Sequence, residues 1–131
     1  MNKFLMATAA LALGATTAVA DVKIGMITTL SGGGAGLGID VRDGFMLAVA
    51  QSGRSDIDIV IEDDQRKPDI AVQLSDKMIQ SERVDIMTGI IWSNLAMAVV
   101  PAVTNQNVFY LSPNAGPSPL AGRGCHENYF N

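Results

Sequence analysis

Five glycines crowd into the eight residues SGGGAGLG, from Ser31 to Gly38, two residues after the apolar run VKIGMIT. Glycines in such a loop let backbone N–H groups approach a ligand closely and allow left-handed backbone. Strand, glycine loop and helix in succession form one wall of the ligand crevice of an open α/β sheet. Two further polar loops follow apolar runs, Ile91–Asn94 and Ser112–Ser118. Together the three loops offer hydroxyls, an indole, amides and helix N-termini, with no charged side chain of their own. Those are neutral donors for a small polar or anionic group.

Several other chemistries are excluded by spacing. The glycines at 32, 33, 34, 36 and 38 never meet the G-x-G-x-x-G pattern of a dinucleotide site. Gly33 and Gly38 have the spacing of a phosphate loop, but Ile39 and Asp40 stand where lysine and a hydroxyl residue belong. No G-x-S-x-G nucleophile elbow occurs. The lone histidine, His126, adjoins the lone cysteine, Cys125, and chain neighbours in a loop seldom oppose each other as base and nucleophile. No His/Cys cluster is present for zinc, and neither a metal nor a cofactor is expected. The acidic pair Asp63-Asp64 reads as a solvated strand end or as helix-capping charge rather than an acid/base dyad. Met26, Met46, Met78, Met87 and Met97 read as packing.

The elements that must position these loops alternate. Val22–Thr28 reads as a strand buried on both faces. Val41, Phe45, Ala48 and Val49 mark a helix over Ile39–Ser52, with Gly53 as its stop. Ile57, Ile59 and Ile61 give a second strand. Pro68 suits the first turn of a helix carrying Ala71, Leu74, Met78 and Ile79. Val84–Ile91 is a third strand. Ser93 or Asn94 caps the next helix, in which Pro101 is expected to introduce a kink. Val108–Leu111 is a fourth strand, and Ser112–Gly124 is loop. The βαβαβαβ order predicts an α/β fold, a parallel sheet with helices on both faces. The expected strand order is 2-1-3-4, and ligands bind at the carboxyl edge where that order reverses.

The whole sequence has 131 residues, 48% hydrophobic and 17% charged, with a formal net charge of −4. That acidity argues against nucleic acid and anionic membrane surfaces as partners. Residues 1–20 have the form of a secretory signal peptide: Lys3, an apolar run from Phe4 to Leu13, and Ala18-Val19-Ala20 as the cleavage site. The apolar run is too short to span a bilayer.

With the leader in front, the segments TTLSGGGAGLG, VIEDDQRKPDIAVQLSDKMI, MTGIIWSNLAMAVVP, VFYLSPNAGPSPL and CHENYF occur in an order that resembles the type I periplasmic solute-binding proteins of ABC transporters. The similarity is to the leucine/isoleucine/valine-binding subgroup and its aromatic-acid- and amide-binding relatives. It implies two α/β lobes joined by three crossing strands, with the ligand between them. It also implies that residues 21–131 are a partial N-terminal lobe, whose last sheet strands return from later sequence. By the same resemblance, Ser93 holds a ligand carboxylate and Trp92 borders the ligand. Asn114, Ala115 and Gly116 supply backbone and hydroxyl-type contacts, although family members often have threonine at the position of Gly116. Some place an aromatic residue at the position of Leu37. Ser31 in the glycine loop completes the candidate set.

The function implied is that of an extracytoplasmic solute-binding component of an importer. It would be periplasmic and monomeric, working with ABC permease subunits, and not an enzyme. A sensor domain built from the same lobes is the alternative. If the leader is read correctly, exported protein begins at Asp21, which N-terminal sequencing of the mature pool checks; a mature pool beginning at Met1 contradicts it.

Overall fold

A computed structural model describes residues 21–131, so the proposed leader and its cleavage site lie outside the described residues. Strand β1 spans Val22–Thr28 and is followed by helix α1, Ala35–Ser52. Next come β2 (Ile57–Asp63) and α2 (Pro68–Lys77), which continues into a single wide π-type turn over Met78–Glu82. Then follow β3 (Ile86–Thr88), α3 (Ser93–Thr104), β4 (Phe109–Leu111), α4 (Ser118–Ala121) and β5 (Tyr129–Phe130). All neighbouring strands pair in parallel, in the order β2-β1-β3-β4-β5. The 2-1-3-4 order expected from the sequence is therefore observed, with one further strand at the edge.

The differences from the sequence reading have local causes. Helix α1 begins at Ala35 and not at Ile39 because its first turn is laid directly on the sheet. A Cβ on Gly38 would stand 1.9 Å from the Thr29 carbonyl oxygen, so only glycine permits that approach. Strand β3 keeps only Ile86–Thr88 of the predicted Val84–Ile91, since Gly89, at φ +106, turns the chain out of the ladder. The segment read as loop from Ser112 to Gly124 contains the short helix α4. Strand β5 was not foreseen. It is two residues long and pairs Tyr110 with Tyr129 and Leu111 with Phe130.

With β2 on one side of β1 and β3 on the other, right-handed crossovers put α1 on one face and α2 and α3 on the opposite one. The main core lies on the α2/α3 face. Ile27, Met87 and Tyr110 from the sheet pack there with Ala71, Met78, Leu95, Val99 and Val103. Each fully buried aliphatic or methionine side chain of this kind contributes about 1.5–3 kcal/mol. Met26, Met78 and Met87 are fully buried, as packing requires, whereas Met46 and Met97 are 40% exposed. On the α1 face, Phe109, Leu111 and Phe130 form an exposed row beside β3.

Adding a methyl group at Gly38 forces α1 away from the Thr29 carbonyl. Gly38→Ala is expected to cost at least about 1–3 kcal/mol, the range for overpacking, and urea denaturation of the variant against the parent measures it.

Candidate functional site

The carboxyl ends of β1, β2 and β3 are joined by one chain of hydrogen bonds, buried between Thr29 and Asp64 and half-buried at Trp92. Trp92 Nε1 donates to Thr29 Oγ1 at 2.8 Å, and the Thr29 hydroxyl donates to Asp64 Oδ1. Asp64 Oδ1 also accepts the Arg66 backbone N–H at 2.8 Å. Its neighbour Asp63 accepts the N–H groups of Leu30, at 2.8 Å, and Gln65, at 2.9 Å, through Oδ1. The acidic pair is thus no solvated strand end. Asp64 is fully buried, and Asp63 is partly buried and ties the glycine loop to the turn after β2. The sequence pattern could not separate these states, because a charged run at a strand end has the same composition whether or not a neighbouring loop covers it.

The two carboxyls are pushed in opposite directions. Burial raises the Asp64 carboxyl above the usual aspartate range, and the nearby Asp63 charge adds to it, against the hydrogen bonds from Thr29 and Arg66. Asp64 Oδ2 and Thr28 Oγ1 are buried without a hydrogen-bond partner among the described residues. For Asp63, partial burial also pushes upward. The donated hydrogen bonds of the Ser31 hydroxyl and of the Leu30, Gln65 and Ser31 N–H groups outweigh it, so this carboxyl lies below the usual range.

Above the buried junction, a charged side chain enters the site, against the sequence expectation. The turn after β2 runs through Gln65 and Arg66 at φ 51° and 59°, which carries the Arg66 side chain back across the sheet edge. Its guanidinium carbon stands 3.9 Å from the centre of the Trp92 ring, a cation–π stack. Arg66 Nη1 donates to the Gly33 carbonyl at 3.4 Å. From beneath, Trp92 is pressed against the glycine loop: a Cβ on Gly34, at φ +96, would stand 2.4 Å from the indole. Trp92 is therefore half-buried, and one ring face is covered by a cation.

Ser93 is the first residue of α3, with Trp92 in the N-cap position and no side chain capping the helix. Neither Ser93 nor Asn94 is the cap. Both are exposed, and the first free N–H groups of α3 point out of the carboxyl edge beside the Ser93 hydroxyl. An uncapped helix start with a hydroxyl is suited to an anion. The loop after β4 comes to the same edge. Asn114 Nδ2 donates to the Ile91 carbonyl at 3.0 Å. Ala115 is buried, and its carbonyl accepts from the hydroxyls of Ser112, at 2.6 Å, and Tyr129, at 3.1 Å. Gly116 is exposed and lies against the Asn131 side chain. Ser31 is exposed in the glycine loop, and Leu37, 54% exposed, is in the first turns of α1. The three loops thus meet at one edge, linked by Trp92 to Gly34 and by Asn114 to Ile91.

Arg66, Thr29 and Asp64 are the participants that sequence reasoning missed. The signal for Asp64 and Arg66 was an acidic pair at a strand end, followed by three polar residues and a helix-starting proline. At the other end of the chain, Cys125 is an exposed free thiol, and His126 Nδ1 accepts the Asn128 N–H at 3.1 Å within a local turn. Among the described residues no group of three or more His, Cys, Asp or Glu is placed to hold a metal ion.

A family model described as periplasmic binding protein matches residues 21–131. The chain belongs to that family. The match covers every described strand and helix of the sheet, and the fold is that of part of one lobe of a type I periplasmic binding protein. Among solved structures, the chain is 33% identical to an ABC transporter solute-binding protein from R. palustris in complex with benzoate. The TM-score is 0.79, over 84% of this chain and 32% of that one. It is 30% identical to an ABC transporter substrate-binding protein from Sphaerobacter thermophilus, with a TM-score of 0.73 over 76% of this chain and 28% of the other. The branched-chain amino acid transporter substrate-binding protein LivJ from Streptococcus pneumoniae, in complex with isoleucine, is 25% identical. Its TM-score is 0.75, over 84% and 33% of the two chains. The chain spans about a third of the length of these solved relatives. A comparison with curated proteins finds no match.

Asp64 makes the pH dependence of stability testable. A carboxyl raised by folding adds stability that is fully present below the ordinary aspartate range and is lost as pH rises through its raised folded value. Asp64→Asn keeps an acceptor and removes the buried charge. The melting temperature of the variant, relative to the parent, is expected to be most favourable near neutral pH and to fall back on acidification below the ordinary aspartate range. Melting curves by circular dichroism across that range check it; a pH-independent difference would show that Asp64 is not the source.

Proposed function

We propose that the chain is the first-lobe portion of an extracytoplasmic, periplasmic solute-binding protein of an ABC importer. It takes a small carboxylate- or amide-bearing solute, with an apolar or aromatic body, between its loop edge and a second lobe. The observation that carries the reading is the uncapped start of α3: free N–H groups and the Ser93 hydroxyl stand exposed where the sheet order reverses. That is a receptor for an anionic or carbonyl oxygen. The relatives support it, since one is described with benzoate and another with isoleucine. Leu37 adds an exposed apolar surface near the same edge. The groups assembled there bind and orient, and the reading is of a binder and not an enzyme.

The reading as part of a larger lobe has support in the sheet itself. Phe109, Leu111 and Phe130 are 47%, 48% and 51% exposed in one row on the α1 face. An exposed apolar row of this kind marks a surface made to be covered, and relatives three times as long have the chain to cover it. The partners are then a small solute and the membrane-embedded permease subunits, with the binding protein acting as a monomer.

A thermal-shift panel on the two-lobed protein tests the ligand class. Benzoate-type acids and branched-chain amino acids are expected to stabilise it, and small polar amino acids are not. Stabilisation by serine or glycine alone would overturn the reading. In the same protein, Ser93→Ala is expected to weaken the best ligand by about 1–3 kcal/mol, the cost of losing a buried hydrogen-bond partner, as read by calorimetry.

A further inference from the structure

We propose that Arg66 is the specificity-determining residue of this site, its guanidinium selecting an ionised carboxylate over the neutral amide. The inference rests on the binding-protein reading above and narrows its ligand class.

Three independent features place the cation there. The first is the backbone. Gln65 and Arg66 are successive non-glycine residues in the left-handed region, at φ 51° and 59°. Such residues are strained and persist only where their surroundings enforce them. Asp63 and Asp64 do so, each accepting one of the two strained N–H groups. A turn that strain and two carboxylates combine to hold has one evident consequence, the direction of the Arg66 side chain.

The second is reach. Strands β2 and β3 lie on either side of β1, so the ends of β2 and β3 are about two strand spacings, or about 9–10 Å, apart. The Arg66 side chain, reaching in from the β2 side, meets the Trp92 indole above the β1 loop, and the two side chains together span that distance. Arg66 touches the Gly33 carbonyl on the way and ends over the indole of Trp92, the residue immediately before Ser93. The cation is thereby stacked on the side chain of the N-cap residue of α3, a helix start with no side-chain cap. Its approach from the β2 side is independent of the three loops that the sequence pattern singled out.

The third is free donor capacity. A guanidinium carries five N–H donors in a planar fork. The structure gives it one hydrogen-bonded acceptor, the Gly33 carbonyl at 3.4 Å, and the residue is exposed. Stacking on Trp92 fixes the plane of the fork without consuming its donors, so the fork is oriented before a ligand arrives. Planar, pre-oriented and largely unpaired, it matches a carboxylate bidentately. Among the described residues no carboxylate forms an ion pair with Arg66.

Trp92 is the sole tryptophan of the sequence, so its fluorescence reports the stack directly. The two-lobed protein is titrated with benzoate and with benzamide, which share shape and differ in charge, as the parent, Arg66→Gln and Arg66→Lys. The parent is expected to bind benzoate at least tenfold more tightly than benzamide. Arg66→Gln is expected to lose at least tenfold in benzoate affinity and to change benzamide affinity by less than threefold. Arg66→Lys keeps the charge but not the fork, and is expected to fall between them. Raising the salt concentration on the parent alone, which needs no variant to fold, is expected to weaken benzoate and leave benzamide unchanged. Equal losses for both ligands in Arg66→Gln, or salt-independent benzoate binding, would reduce Arg66 to a clasp on Trp92 and overturn the inference. A parent that binds other solutes of the panel but neither of these would also overturn it. A parent that binds no solute at all would overturn the binding-protein reading first.

Discussion

One hydroxyl holds the working edge of this sheet together. Thr29 Oγ1 accepts from the Trp92 indole and donates to the buried Asp64 carboxylate, so a single atom joins the segments leaving β1, β2 and β3. The loops of a parallel sheet leave strands only about 4.8 Å apart, and each has its own helix to start. Without a shared anchor, nothing would fix the glycine loop against the start of α3. The anchor carries a desolvation cost, since a carboxylate taken out of water loses far more than a neutral group does. Two hydrogen bonds to one oxygen and the upward displacement of its pKa are the two ways the protein limits that cost.

The glycines make sense only against this anchor. Gly34 is in a left-handed conformation beneath the Trp92 ring, and Gly38 has the Thr29 carbonyl where a Cβ would go. Both contacts are between the glycine loop and the two residues of the hydrogen-bonded chain. The loop's composition thus serves close packing around Thr29 and Trp92 at least as much as access for a ligand. Exposed positions in the same loop, Ser31 among them, remain available at the edge.

Strand order was legible because it depends on alternation, and alternation survives in one dimension. Apolar runs separated by helical stripes leave few parallel topologies. What could not be read depends on contacts between distant segments. Strand β5 is only two residues long and directly follows the polar stretch CHEN, and only the register of Tyr110 with Tyr129 makes it a strand. Helix α1 gains a turn that its glycines would disfavour, because Gly38 is tolerated for its packing and not for its propensity. In DDQR the acidic pair reads, from sequence, as a solvated strand end or helix-capping charge. The first aspartate is partly buried, the second is fully buried, and the arginine reaches the Trp92 ring above the β1 loop, because Thr29 and Trp92 are waiting there from 35 and 26 residues away along the chain.

The exposure of Arg66, Ser93 and the start of α3 has a thermodynamic sense that an enclosed site would lack. Left open to water, these donors are solvated, so the folded chain bears no penalty for holding them unpaired. A charge pair at 4 Å gives about 1 kcal/mol in bulk water and about 4 kcal/mol at the effective dielectric of a partly closed protein site. The same contacts therefore gain strength when a second surface closes over a solute, and not before. On the proposed two-lobed reading, one lobe would capture its solute weakly, and closure would convert that encounter into affinity. The rigid part of the machinery is then the buried junction of Thr29, Asp64 and Trp92. It must keep the donors in register while water on their far side is exchanged for protein.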